Sequence, residues 1–179
     1  MIETERLRLR DWTEADIEPF IRHTNTPAVM RWLGGVRPAE DHRKIIRDRM
    51  MRWQSELGFT FWAVERKADS GLLGFCGHKI ADAAGTAMEG EHENGWRLRE
   101  DCWGRGYARE AAAASLDFAF ERLGAKRVVA VTYQQNEPSW GLMLRLGMRR
   151  RDDLRYDDPR FPDLNPTILY VIKREEWRR

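Results

Sequence analysis

The chain is poor in the residues that mark a disulfide framework, a metal centre or a membrane span. Its 179 residues include only two cysteines, Cys76 and Cys102, too few for a disulfide scaffold and without Cys or His neighbours at zinc spacing. A reducing cytoplasm is the expected compartment. The histidines His23, His42, His78 and His92 form no i, i+4 pair on one helix, so no metal is expected. No stretch approaches the roughly 20 apolar residues of a membrane span. The opening MIETERLRLRDW carries charge from Glu3 onward, unlike a signal peptide. Net charge is also missing: Lys+Arg 31 against Asp+Glu 29 leaves +2, which argues against a nucleic-acid surface or an acidic solvating segment. Lysine occurs only at Lys44, Lys67, Lys79, Lys126 and Lys173. The positive charge is therefore mostly guanidinium, suited to phosphate and carboxylate recognition, although genome composition alone can produce the same bias.

What is present suffices for one compact domain over residues 1–179, with 42% hydrophobic residues and eight tryptophans. Leu7 and Leu9 alternate with Arg6, Arg8 and Arg10, the pattern of a half-buried strand. Thr13 stands where an N-cap would, with Asp16 three residues on, opening a helix through about His23. A short helical piece at 27–33 and a longer amphipathic helix at 38–57, closed by Gly58, complete a helical block. Three strand-length runs follow at 59–66, 72–80 and 92–99, separated by turn residues, and read as an antiparallel meander. A helix over 104–123, a β-branched strand over 127–133, a helix over 138–146 and strands near 148–156 and 167–173 finish the chain. The order implies an α+β fold: a mixed, mostly antiparallel central sheet of about seven strands flanked by helices.

The densest chemical signal is ENGWRLREDCWGRGYARE, Glu93 to Glu110. A strand ends near Arg99, a tight loop holds Gly104 and Gly106, and a helix begins at once. Unpaired amides at such a helix N-terminus make an anion site. Glycine at both positions and Ala108 beyond them would let a phosphate approach the backbone, with Arg105 and Arg109 adding charge. A dinucleotide fingerprint is disfavoured because Arg109 stands at its last glycine, and a Walker loop is excluded for want of Gly-Lys-Ser/Thr. The remaining bland reading is a glycine turn before an ordinary helix.

The ordered set Glu93-Asn94-Gly95-Trp96-Arg97-Leu98, Trp103 to Ala111, Val128 to Thr132, Asn136-Glu137-Pro138-Ser139 and Arg145-Leu146-Gly147-Met148 closely resembles the GNAT superfamily of acyl-CoA-dependent N-acetyltransferases. The opening Thr4 to Arg10 and the closing Leu169 to Ile172 resemble its RimJ/RimL-like branch, the ribosomal-protein N-terminal acetyltransferases. The resemblance spans nearly the whole chain. It implies acetyl-CoA as co-substrate where the strands at 92–99 and 127–133 splay apart. The pyrophosphate would lie on Gly104, Arg105, Gly106, Tyr107 and Ala108, with Arg109 beside it, the pantetheine arm along the backbone near Leu98, and Asn136 further along. One departure is Trp103, which stands where the superfamily has Gln or Arg at its first motif position.

Acetyl transfer to an amine needs a base, a polarised thioester and an acid for the thiolate. The resemblance points to Glu93 as base and Ser139 as acid. Each has a plainer alternative, an exposed strand glutamate and a first-turn serine. Glu91 is the substitute base, and Tyr133 and Tyr170 are substitute acids. Cys102 reads as loop packing, not a nucleophile. The expected function is transfer of acetyl to a primary amine, either a peptide N-terminus or a small amine, by direct attack in a ternary complex. Two other readings remain: a non-catalytic acyl-CoA-binding module or sensor, and RNA or ribosome binding through Arg149, Arg150 and Arg151. The expected partner is the amine acceptor, with no nucleic acid and no membrane, and the protein itself is expected to be a monomer or homodimer. Acceptor choice is assigned to the helical block and the loops at 81–90 and 156–166, where Met30, Trp32, Trp53, Trp62 and Phe161 are candidate lining residues.

Overall fold

The computed structural model describes residues 1–178. Eight strands form one sheet: β1 (Ile2–Glu3), β2 (Leu7–Arg10), β3 (Phe61–Arg66), β4 (Gly71–Ile80), β5 (His92–Leu98), β6 (Arg127–Tyr133), β7 (Arg149–Arg150) and β8 (Thr167–Lys173). Their spatial order is β1-β2-β3-β4-β5-β6-β8-β7. Every neighbouring pair is antiparallel except β5 and β6. The expected α+β class and the β3-β4-β5 meander are both observed. The strand count exceeds seven because Ile2–Glu3 folds back on β2. The strand expected near 148–156 shrinks to Arg149–Arg150, since Asp152 and Asp153 turn back to pair with Arg150 and Arg151.

The helices are α1 (Glu14–Thr24), α2 (Pro27–Met30), α3 (Ala39–Ile45), α4 (Arg52–Leu57), α5 (Tyr107–Glu121) and α6 (Glu137–Arg145). At the start of α1, Thr13 and Asp16 form a reciprocal capping box, as their spacing implies. The long helix expected over 38–57 is continuous but carries a π-helical stretch at Ile46–Met51 between α3 and α4. That wide turn keeps Ile46 and Met50 buried, and the Thr60 hydroxyl donates to the Met50 carbonyl at 2.8 Å, tying the turn to the start of β3. Gly58 then ends α4 with φ +74°, the left-handed geometry that glycine adopts without strain.

Two apolar layers hold the sheet. On one face Leu7, Leu9, Trp62, Val64 and Leu98 pack with the alanine-rich face of α5 and with α6. On the other, Trp12, Ile17, Phe20, Phe61 and Ala63 pack with the helical block α1–α4. The alternation of β5 divides its side chains between these layers. Trp96 and Leu98 join the α5 side and the Asn94 amide meets the Ser115 hydroxyl of α5 at 2.9 Å. Gly95 and Arg97 face Phe61 and Phe75 on the opposite side, the face that Glu93 shares by register.

Candidate active site

The site is made by a failure of pairing. Strands β5 and β6 are joined at only two positions, His92↔Val128 and Glu93↔Val129. Beyond them β6 stays on β8 through Tyr133↔Thr167, while β5 stays on β4 through Gly74↔Leu98. The edge of β5 from Asn94 to Leu98 therefore has no strand partner on its β6 side. This wedge opens a cleft of about 1150 Å³ lined by both strands, the loop at 102–106, the first turns of α5 and α6, and the 156–161 loop.

Gly104 and Gly106 sit in the left-handed region at φ +72° and +80°, and Gly106 is the N-cap of α5. A β-carbon on Gly104 would meet nothing within 4 Å, so the surface above it is open to a ligand. The loop is held from behind. Glu110 accepts from the Thr4 hydroxyl at 2.6 Å, the Arg6 backbone amide at 2.8 Å and the Arg6 guanidinium at 2.7 Å. Arg6 also donates to the Arg105 carbonyl at 3.0 Å and stacks over the Tyr107 ring at 4.5 Å. The turn between β1 and β2 thus fixes an anion-binding helix start a hundred residues away.

The deep end of the wedge is polar. Glu93 pairs with Lys79 at 3.2 Å with its side chain 18% exposed, and Lys79 also pairs with Asp82. Burial lifts the Glu93 pKa above its ordinary value of 4.5, and the attraction of Lys79 only partly opposes this. Opposite, Asp158 holds Arg160 at 2.8 Å. Burial, with Glu93 and Asp158 adding repulsion, pushes the Tyr156 phenol up to about 12. Tyr133 is raised as well, again by burial first. Both phenols therefore stay protonated across the neutral range.

The family profile described as Acetyltransferase (GNAT) domain matches residues 6–149. This chain belongs to the GNAT acetyltransferases. It is 27% identical over 179 residues to the "Uncharacterized N-acetyltransferase YnaD" of Bacillus subtilis (strain 168), covering 98% of each chain. It is 35% identical over 89 residues, 49% of this chain and 38% of the relative, to the "FsC-acetyl coenzyme A-N(2)-transacetylase" of Aspergillus fumigatus. The structure of a GNAT-family acetyltransferase from Bacillus anthracis superposes with a TM-score of 0.80 at 26% identity, covering 98% of this chain and 99% of that one.

In this GNAT enzyme the expected residues converge: Glu93, Leu98, Gly104, Gly106, Tyr107, Ala108, Arg109, Asn136 and Ser139 all line the cleft. Arg105 does not line it; its side chain is exposed beside the loop. Asn136 caps α6 and donates to the Thr132 hydroxyl at 2.9 Å, which leaves Ser139 in the helix's first turn. The Leu98 carbonyl accepts from the Trp103 indole at 2.9 Å, so the tryptophan at the departing motif position braces the end of β5. Glu91 is tied to Arg127 at 2.8 Å and Tyr170 is packed in the core; neither lines the cleft. Cys102 reaches the cleft wall, but burial raises its pKa and keeps it a thiol. Of the aromatic candidates, Trp32 and Phe161 line the cleft, whereas Trp53 packs on Phe61 and Trp62 on Phe118. Arg149, Arg150 and Arg151 each pair with a carboxylate, so they form no free basic patch. Among the described residues no group of three or more His, Cys, Asp or Glu is arranged to hold a metal, and no helix is long and apolar enough to cross a membrane. Tyr156, Asp158 and Arg160 line the cleft from the 156–166 loop that the sequence assigns to acceptor choice, whereas Lys79 and the Arg97 side chain were not legible as site residues, because their roles depend on strand register.

Proposed function

We propose that this N-acetyltransferase moves an acetyl group from acetyl-CoA to a primary amine, on a peptide N-terminus or a small molecule, by direct attack in a ternary complex. One observation carries the reading: β5 and β6 part after two paired residues, at the point where a glycine loop opens α5. The fit to the co-substrate is chemical on both counts. The unpaired edge of β5 offers backbone groups to an extended arm with amides, and the Gly104–Ala108 loop offers helix-start amides to a pyrophosphate. Arg109 lines the same end, and Arg105 stands near it as a source of long-range charge. Asn136 contacts the arm from the β6 side.

When bound, acetyl-CoA supplies the acyl group activated as a thioester. The protein's part is proton handling and alignment. Glu93 accepts the proton that the attacking ammonium must lose, directly or through one water, and its raised pKa suits a base working near neutrality. Ser139 donates to the departing sulfur from the first turn of α6. Residues 1–179 act as one catalytic domain, supported by a sheet that runs unbroken from β1 to β7. The RimJ/RimL-like branch is proposed from the resemblance of the Thr4 to Arg10 segment, in which Thr4 and Arg6 also grip the loop through Glu110. Both cysteines are free and buried, which suits a cytoplasmic location.

Thiol release from acetyl-CoA, followed across a panel of primary amines, tests the reading. Release that depends on an amine and yields the N-acetyl product is expected. Binding of acetyl-CoA without release for any amine would favour a sensor.

A further inference from the structure

Arg97 stands apart from the other arginines. Most described arginines touch a carboxylate. Those that do not are exposed, except Arg37 and Arg97. Arg37 donates to the Leu33 carbonyl at 2.8 Å. Arg97 has only the Met30 thioether, 3.1 Å from one terminal nitrogen, and its Nε is enclosed with no partner. Its guanidinium lies 4.4 Å over the Phe20 ring and 5.3 Å from Phe75. Rings satisfy the face of a guanidinium and leave the N–H edge unmet. Burial first, and Arg37 second, push its pKa down, the signature of a charge without a counter-ion. Nearby His42 is buried and held neutral, its pKa lowered to about 4 chiefly by burial, so it adds neither charge nor compensation.

This unmet charge lines the catalytic cleft. It stands on the same face of β5 as Glu93, with Gly95 between them. Four residues of strand separate their α-carbons by about 13 Å, with an anionic group at one end and a cationic group at the other. A β-carbon on Gly95 would press to 3.0 Å from the Phe61 ring, so the gap between the two charges is a flat aromatic floor.

We infer that Arg97 receives a carboxylate of the acceptor, so the amine acetylated here belongs to a zwitterion of the amino-acid class. The inference rests on the acetyl-transfer reading and narrows it. A carboxylate carries the single negative charge that one planar guanidinium fork balances in bidentate fashion, and Arg37, the other cation acting on Arg97, is turned to the Leu33 carbonyl. The ammonium of such an acceptor lies toward Glu93 and its carboxylate toward Arg97.

Calorimetry in the presence of CoA tests this with the twenty common amino acids, each beside its α-carboxamide. At least one acid is expected to bind about 10²-fold tighter than its amide, and Arg97→Lys or Arg97→Met should bring that ratio toward one. Equal binding of acid and amide throughout, no binding of any acid, or a ratio that survives Arg97→Met would overturn the inference. Thermal unfolding is the second readout. Arg97→Met removes an unpaired buried charge and should raise Tm by about 2–4 °C; a fall would mark the arginine as a packing residue and equally overturn it. Thiol release is measured separately. Acid-selective binding without release would remove the transferase reading and leave Arg97 its role, whereas release from amines with no preference for the acid would do the reverse.

Discussion

In the proposed mechanism Glu93 is the base, and its environment sets what it can do. Lys79 at 3.2 Å favours its charged form, yet burial outweighs that attraction and the pKa rises above 4.5. A carboxyl with a raised pKa loses its proton at higher pH than an exposed one, so the acidic limb of the kcat profile should lie above the ordinary carboxylate range. Glu93→Gln should remove that limb and lower kcat by about 10²–10⁴-fold, with acetyl-CoA affinity retained; steady-state kinetics against pH give both numbers. A limb at the same pH in the variant would assign it to another group. Ser139 is argued from position alone: it lines the cleft in the first turn of α6. The residue types were legible before the geometry because Glu, Ser and the paired glycines recur in a recognisable order. Lys79 was not, since nothing in its local sequence distinguishes a cleft residue from a packed or solvated one.

At the scale of elements, the turn between β1 and β2 and the start of α5 depend on each other. Glu110 in the first turn of α5 gathers the Thr4 hydroxyl, the Arg6 amide and the Arg6 guanidinium, and Arg6 reaches on to the Arg105 carbonyl. Charge-assisted bonds of this kind are stronger than neutral ones, although Arg6 is 42% exposed and solvent weakens its share. Glu110→Ala is therefore expected to cost only about 1 kcal/mol of stability but to raise KM for acetyl-CoA about tenfold, with kcat changed little. Chemical denaturation and initial rates measure the two effects; an unchanged KM would show that the loop holds its shape without the turn between β1 and β2. Strong periodicity made most elements readable, and the spans at 127–133 and 167–173 coincide with β6 and β8. The π-helical turn at Ile46–Met51 was hidden because its apolar spacing also suits an ordinary α-helix. The near loss of β7 was hidden by the charge turn at Asp152 and Asp153, and the placing of β8 between β6 and β7 is a tertiary choice that no local pattern encodes.

For the whole molecule, two buried histidines link stability to pH. His42 and His78 have their pKa values lowered from 6.5 to about 4, in each case chiefly by burial, and His78 meets the Ser115 carbonyl at 2.8 Å. Both are neutral when folded and protonate more readily when unfolded. The unfolded chain therefore takes up more protons between pH 6.5 and about 4, and stability falls as pH drops through that window. Thermal melts should show Tm steady above pH 7 and declining below 6.5, with a shallower decline in His78→Gln; an unchanged slope would place the titration elsewhere. The near balance of charge fits the proposed acetyl-CoA cleft, since most described arginines are paired with a carboxylate and most of the others are exposed. The central claim is that acetyl-CoA occupies the wedge between β5 and β6 on the Gly104–Ala108 loop. Isothermal titration of acetyl-CoA into the wild-type protein and into Gly104→Val measures it most directly, because Gly104 is at φ +72° with open space above it. One site per chain, weakened at least tenfold by the substitution while the fold is retained, is the expected result. No binding to the folded wild-type protein, or equal binding to both, would contradict it.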